Sequence, residues 1–438
     1  MGSTVKRLFL LAGLLVGLLP ACGGDELGSQ TSSGGGGAGA ASTTTGGGGS
    51  AGGTGGTGGS TGTTTAPPEV TLDDLLAALR ADPEKALLAQ ANDGGWPAPV
   101  DGGHLFVTTD PTFDKVAGDH DGWTGTALTQ DEGFRWVVLS VPQGDHYKFT
   151  NLTDYAADPW ARSYTYDDFG EMSLVAPSEL HIDRFFEIGD AKLQPRTVRI
   201  LVPPEPPTHV LYTHDGQNLF DPDAFFGGWQ IQASVPPAMM VVGIDNTPAR
   251  MDEYTHVPDV IDGGSLNVGG LGDAYADFLK GTIRPLVIKH YGAEPAVRGT
   301  MGSSLGGLIS FHVADRHPGE YTFAASLSGT MGWGSIGDGV HNETMIERYA
   351  KKGHQSTVLY LDSGGDGGSC GDTDSDGVDD DIDQGDNYCE NAQMLDVLLS
   401  IGYQEGVDLA YVWAQGAQHN EAEWAARVGV PLQIFAGL

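Results

Sequence analysis

Between Ala296 and Pro318 the chain has to pass from a strand into a helix through a corner almost devoid of side chains. The run from Ala296 to Met301 is short, apolar and β-branched, as a buried strand is. Gly302-Ser303-Ser304-Leu305-Gly306-Gly307 makes the corner. Leu305, Leu308, Ile309 and Val313 then recur at helical spacing until Pro318-Gly319 stop the helix. Gly302 and Gly306 bracket Ser304 in the pattern G-x-S-x-G. That turn is so tight that a Cβ on either side would keep the backbones apart, and it holds the serine hydroxyl out at a sheet edge. The helix behind it aims N–H groups and its positive dipole end at the same place, which suits a developing oxyanion. Ser304 is therefore the candidate nucleophile and the Leu305 amide a candidate oxyanion donor.

The surroundings of the corner repeat its grammar. From about Ser178, strands are expected at Val198–Val202, His209–Thr213, Met239–Ile244, Val297–Met301, Phe323–Leu327, Val358–Leu361 and Leu409–Trp413. Helical patterns lie between them, notably Asp273–Tyr291, Leu305–Arg316, Asn391–Ile401 and Glu421–Val428. Strands alternating with helices predict an α/β domain, residues 178–438, with a mostly parallel, doubly wound sheet.

What precedes it is different. Lys6-Arg7, an apolar stretch from Leu8 to Leu18, and Leu19-Pro20-Ala21-Cys22 read as a secretion signal over residues 1–22, too short for a spanning helix. The small residue before Cys22 resembles the bacterial lipobox. That resemblance implies lipidation of Cys22 and, with Gly23 rather than Asp after it, an exported lipoprotein of the outer membrane or cell surface, held to the membrane by its lipid. Residues 23–68, nearly all Gly, Ser, Thr and Ala from Gly28 to Pro68, cannot bury a core and read as a flexible tether. The formal net charge of −36 argues against a nucleic-acid partner, whose phosphates would be repelled. Thr71 then caps a helix striped by Leu72, Leu75, Leu76 and Leu79. Short strands at Leu105–Val107, Phe113–Ala117, Trp136–Leu139 and Tyr147–Phe149, separated by Gly, Asp and Pro, predict a small β-sandwich within residues 69–177. Val116-Ala117-Gly118-Asp119 with Trp123, Tyr147-Lys148-Phe149, Ala157-Asp158-Pro159 and Tyr164 resemble the immunoglobulin-like domains that precede catalytic domains in glycogen-branching enzymes and enterochelin-esterase-like hydrolases. Trp123, Trp160 and Tyr164 either stack on a sugar face or pack the domain; packing is the favoured reading.

A serine hydroxyl needs a base within hydrogen-bond reach. In the order Ser…Asp/Glu…His the base comes last, and the last histidine is His419, in the loop Gly416-Ala417-Gln418-His419 after the final strand. His214, His256, His312 and His317 precede or flank the corner and read as structural. The acid is expected after the strand ending at Leu361. Asp362 and Asp366 compete for it, and Asp366, beyond the Gly364-Gly365 turn, is the choice. Its task is to hold the imidazole tautomer and stabilise the imidazolium. A second oxyanion donor is expected after an early strand, where Gly216 lets the Gln217 amide approach; removing one such donor typically costs roughly 2.7–4 kcal/mol of transition-state stabilisation.

Asp215-Gly216-Gln217-Asn218, the Ser304 corner, and Gly416-Ala417-Gln418-His419 with Trp424 together resemble the esterase-D/enterochelin-esterase-like branch of the α/β-hydrolases. That branch includes S-formylglutathione hydrolases, feruloyl and acetylxylan esterases, and siderophore esterases. The resemblance implies an α/β-hydrolase domain and hydrolysis of carboxylic esters through a serine acyl-enzyme, with no catalytic cofactor. Expected substrates are small-molecule or polysaccharide-linked esters. Acyl transfer to a sugar, or a non-catalytic surface lipoprotein binding glycan and calcium, are the alternatives.

Asp372-Thr373-Asp374-Ser375-Asp376-Gly377-Val378-Asp379-Asp380-Asp381-Ile382-Asp383 departs from that family's pattern. Asp372, Asp374, Asp376, the Val378 carbonyl, Asp380 and Asp383 fall at the ligand positions of a twelve-residue calcium loop, and Gly377 at its sharp turn. With Asp at the last position it resembles thrombospondin type 3 repeats. Oxygen-only ligands suit a structural Ca²⁺. Cys370 and Cys389 bracket the loop and could pair, which export permits.

Overall fold

The computed structural model describes residues 70–261, 264–292, 297–337, 340–373, 375–381 and 385–438. The signal segment, Cys22 and the Gly-rich tether lie outside the described residues, as do Asp374 and Asp383.

Thr71 opens helix α1 (Leu72–Ala81) with a capping box: its hydroxyl accepts from the Asp74 N–H and the Asp74 carboxylate accepts from the Thr71 N–H. A second helix, α2 (Pro83–Asn92), follows at once, with Asp82 as its cap and Pro83 at its first position, where a missing N–H costs nothing. Leu75, Leu76, Leu79, Leu87 and Trp96 from this segment bury against Leu105, Val107 and Phe134. The strands that follow form two antiparallel groups. Ala98–Val100, Gly103–Thr108, Arg135–Leu139 and Thr129–Gln130 make one. Lys115–Gly118, His146–Thr150, Gly170–Leu174 and Ser163–Asp167 lead the other, and side chains of both, Phe106, Val116, Tyr147 and Phe149, share one core. Tyr164 is fully buried and offers no ring face to solvent, and the half-buried Trp160 packs on Phe186. Trp123 is half-buried, its Nε1 donating to Asp119.

This second group does not end at residue 177. Ser163–Asp167 pairs with β1 (His181–Ile188) at Tyr164↔Ile182 and Ser163↔Asp183, so the β-rich segment and the α/β segment share one continuous sheet. After β1 come β2 (Arg196–Val202), β3 (His209–His214), β4 (Met239–Ile244), β5 (Val297–Ser303), β6 (Phe323–Leu327), β7 (Val358–Ser363) and β8 (Leu409–Trp413), in the spatial order β8-β7-β6-β5-β3-β4-β2-β1. Strands β3 to β8 are parallel to one another, while β2 runs antiparallel to both β4 and β1. The expected parallel sheet is present, with an antiparallel edge.

Helices cover both faces. On one, α3 (Gly272–Phe278), α5 (Leu305–Arg316), α6 (Met345–Lys352) and α7 (Tyr388–Ser400) bury Tyr275, Ile309, Tyr349 and Met394. On the other, α8 (Glu421–Arg427) and α9 (Gly429–Ala436) bury Trp424, Leu432 and Phe435. The helix expected over Asp273–Tyr291 is interrupted: α3 runs into a π-turn, Leu279–Ile283, before α4 (Arg284–Tyr291). Pro285 lacks the N–H and room for a regular turn beneath it, and the wider turn absorbs the conflict.

Because β3, β5, β6, β7 and β8 are parallel and in register, they deliver Asp215, Ser304, Ser328, Asp362 and the loop to His419 to one edge of the sheet. In open α/β sheets the carboxyl edge is where ligands bind.

Candidate active site

Ser304 stands between β5 and α5 at φ +56°, ψ −124°, a conformation that L-residues rarely adopt and that costs of order 1–3 kcal/mol. Its neighbours make that possible. A Cβ on Gly302 would lie 2.6 Å from the Gly306 carbonyl, and one on Gly307 would lie 2.3 Å from Ser326 Oγ. The Ser304 N–H donates to the Leu327 carbonyl (2.9 Å), and its own carbonyl accepts from Gly307, Leu308 and Thr330. Leu305, first in α5, has no intrahelical acceptor for its N–H, so that donor is left for the site.

Beside the elbow lies the corner after β3. Asp215 takes the left-handed conformation (φ +57°) and Gly216 follows; a Cβ there would sit 2.6 Å from the Gly243 backbone. The corner is clamped from its side chain. Arg250 donates to both Asp215 carboxylate oxygens (2.8 and 2.9 Å), and Asn246 Nδ2 adds a third bond at 2.6 Å. Burial alone would raise the Asp215 carboxyl, but the Arg250 guanidinium and Asn246 outweigh it and hold it below the ordinary range. Gln217 is half-buried, its side-chain oxygen accepting from the Asn246 N–H (3.1 Å). The elbow helix and this corner touch: a Cβ on Gly306 would be 3.4 Å from Asp215 Oδ2.

His419 Nδ1 lies 2.8 Å from Asp386 Oδ1, and Asp386 is 1% exposed. The carboxylate can only accept, so Nδ1 carries the proton and Nε2 is the basic nitrogen. This corrects the expected acid. Asp366 is exposed and makes no hydrogen bond to His419. The backbone explains why: Gly365 donates to the Ala417 carbonyl and Gly416 to the Gly365 carbonyl (2.8 Å), so this segment runs alongside the His419 loop and leaves Asp366 facing water. Asp362, the other expected candidate, is fully buried but turned elsewhere. It accepts from the Ser328 N–H and the Tyr360 hydroxyl, and Arg427 Nε lies 3.1 Å from it. Burial pushes it up to about 6 in spite of that guanidinium.

Asp386 reaches the histidine from a left-handed Asp386-Asn387 corner at the start of α7. Its second oxygen accepts from Ser328 Oγ (2.8 Å) and Arg427 Nη2 (3.3 Å). Gly364 makes the approach possible, since a Cβ there would lie 2.2 Å from Asp386 Oδ2. The 327–330 turn ties the two halves together. Leu327 and Thr330 hold the Ser304 backbone, while Ser328 holds Asp386 and accepts from Trp424 Nε1, whose ring meets His419 edge-on at 5.0 Å. Among the described residues the Ser304 hydroxyl has no hydrogen-bond partner, while His419 and Asp386 are joined.

The other histidines are occupied. His214 lies between the Tyr275 hydroxyl (2.9 Å) and Thr300 (3.2 Å), and burial pushes it down to about 3, neutral at working pH. His256 and His312 stack on each other in the interior. His317 lies 3.3 Å from Asp277.

Asp386, Arg427, Ser328 and Glu421 were not foreseen. One signal for Asp386 was present: Gly385-Asp386-Asn387 immediately precedes the helical pattern of α7, where a polar corner residue is expected. In the acidic loop, Asp372 accepts from the Asp376 and Gly377 N–H groups (3.0 and 2.9 Å), Asp376 accepts from the Val378 N–H, and Gly377 has φ +93°. Cys370 and Cys389 form a disulfide across it, with Cα atoms 5.3 Å apart.

The chain is similar to several known proteins. An "Uncharacterized protein YbbA" of Bacillus subtilis is 28% identical over 134 residues, 30% of this chain and 53% of the relative, so the chain spans about half the length of the curated relative it matches. Among solved structures, an IroE-like serine hydrolase from Shewanella oneidensis aligns over 58% of this chain and 80% of its own at 18% identity and a TM-score of 0.44. The enterobactin esterase FES from Shigella flexneri aligns over 76% and 92% at 15% identity and 0.41. A siderophore hydrolase, EstA, from Aspergillus nidulans aligns over 58% and 94% at 15% and 0.43. The esterase family model, described as "Putative esterase", matches residues 192–428, more than half of the chain, and the protein belongs to that family.

Proposed function

We propose that the chain is a serine carboxylic-ester hydrolase working through an acyl-enzyme. The observation that supports this is the 2.8 Å His419–Asp386 pair, tied through the 327–330 turn to a serine held at φ +56° on a strand–helix corner. Ser304 Oγ attacks the ester carbonyl carbon and its proton passes to His419 Nε2. The oxyanion takes the N–H groups of Leu305 and Gln217. The C–O bond to the alcohol breaks, and His419 returns its proton to the departing oxygen. Water then repeats the sequence on the acyl-enzyme. Asp386 keeps the proton on Nδ1 and stabilises the imidazolium without taking the proton itself. Polysaccharide-linked acyl esters are the proposed substrates, on the reading of the chain as a tethered, exported enzyme. A panel from aryl acetates to feruloylated oligosaccharides, run with wild type and Ser304→Ala, tests both the chemistry and the substrate. Turnover that survives in the variant would reject the mechanism.

We propose a structural Ca²⁺ for the acidic loop. The twelve-residue spacing of its carboxylates supports one, and the disulfide staples the loop's ends, although among the described residues no group of three or more His, Cys, Asp or Glu is arranged to hold a metal. Asp372, Asp376 and the Val378 carbonyl are the described residues that would hold the ion. Asp374 and Asp383 fall outside the described residues, and Asp380 contributes by sequence position alone. Melting in excess EDTA should fall by about 5 °C or more, since a ligand bound only to the folded state raises its stability. Asp376→Ala should abolish that sensitivity. A wild-type melt indifferent to chelator would dismiss the ion.

A further inference from the structure

Glu421 is 9% exposed, opens α8 two residues after His419, and accepts a hydrogen bond from Asn218 Nδ2 at 3.1 Å. Asn218 closes the turn that carries Gln217: its N–H donates to the Asp215 carbonyl, and its own carbonyl accepts from Trp229. The bond therefore joins, across 203 residues of sequence, the loop that carries the base to the loop that carries the second oxyanion donor. Each loop is otherwise anchored separately, one to Asp386 and the other to Arg250.

We propose that the Asn218–Glu421 bond is a positioning link that fixes the His419 imidazole relative to the Gln217 amide, with Glu421 acting through its neighbours rather than on substrate. It rests on the esterase reading above. The chemistry requires such a link, because base and oxyanion donors must converge on one carbonyl, and a displacement of about 1 Å between them can cost ~100-fold in rate.

The charges facing Glu421 are Asp215, Arg250 and His419. Burial first, and then Asp215, push the Glu421 carboxyl up to about 7, against its own backbone N–H and the pull of Arg250 and His419.

The test is the labelling rate with an active-site fluorophosphonate, together with aryl acetate kinetics, for wild type, Asn218→Ala, Glu421→Ala, the double variant and Glu421→Gln. Each alanine variant should slow labelling by about tenfold or more, and the double variant should be no slower than the worse single one, because both remove the same bond. Glu421→Gln keeps an acceptor oxygen and should restore most of the rate. Wild-type labelling in both alanine variants, multiplicative losses in the double variant, or a Glu421→Gln variant as slow as Glu421→Ala would each overturn the link. Should Glu421→Ala fail to fold, Asn218→Ala and Glu421→Gln carry the test alone. If wild type itself takes no label, the esterase reading has failed, and melting of the same proteins still decides the link: losses in Tm that do not add support it, and additive losses refute it.

Discussion

Ser304→Ala will lose hydrolysis of aryl acetates by about 10⁴-fold or more in kcat, leaving only what binding and the oxyanion donors supply. Its fold will be intact. The Ser304 hydroxyl has no hydrogen-bond partner among the described residues, whereas the backbone bonds from Ser304 to Leu327, Thr330 and α5 do not depend on the side chain. Alanine at φ +56° is strained as serine is, so the melting temperature should stay close to that of wild type. Activity loss without stability loss is the signature of a nucleophile. Loss of both would indicate a residue that holds the corner together.

Asp386→Asn should lower kcat by about 10⁴-fold, because an amide in that place can donate to Nδ1 and favour the tautomer with its proton on Nε2, where the base must be free. Asp366→Asn should change kcat by no more than about twofold, as exposed substitutions away from packed or paired groups do. The pair of variants separates the structural assignment from the one made on chain order. The change at Asp386 also leaves Arg427 balanced one-to-one by Asp362, so the interior does not gain an unpaired charge. Comparable loss in Asp366→Asn, measured on the same substrate, would mean that the His419 loop moves to a different acid during turnover.

The contrast between Ser304 and Asp386 shows what the amino-acid order reveals. The elbow is local: two glycines, a serine and the strand and helix around them are contiguous, and steric necessity ties each to its position. The β3 corner is local too, since Gly216 cannot carry a Cβ against the Gly243 backbone. His419 is fixed by being last, just before the Asn420 cap of α8. The acid is not local. It sits inside the acidic segment after β7 that the Cys370–Cys389 disulfide closes, among many aspartates of similar appearance, and only packing tells them apart: the space left by Gly364, the guanidinium of Arg427 and the hydroxyl of Ser328. Chain order favours the first aspartate past the Gly364-Gly365 turn, while burial selects the one that can be desolvated with partners. The shared sheet was hidden for a similar reason. The pairing of β1 with Ser163–Asp167 involves only two residue pairs, and no periodicity in His181–Ile188 announces it. The π-turn at Leu279–Ile283, by contrast, was readable in hindsight from Pro285 inside an otherwise helical run.

The central claim is that Ser304 is a nucleophile activated by His419 and Asp386. Intact-mass and peptide analysis after treatment with a serine-directed fluorophosphonate tests it most directly. The account predicts one equivalent of adduct per chain, located on Ser304, formed far more slowly in Asp386→Asn and absent in Ser304→Ala. A fully folded wild-type protein that takes up no label, or takes it on a residue other than Ser304, would contradict it.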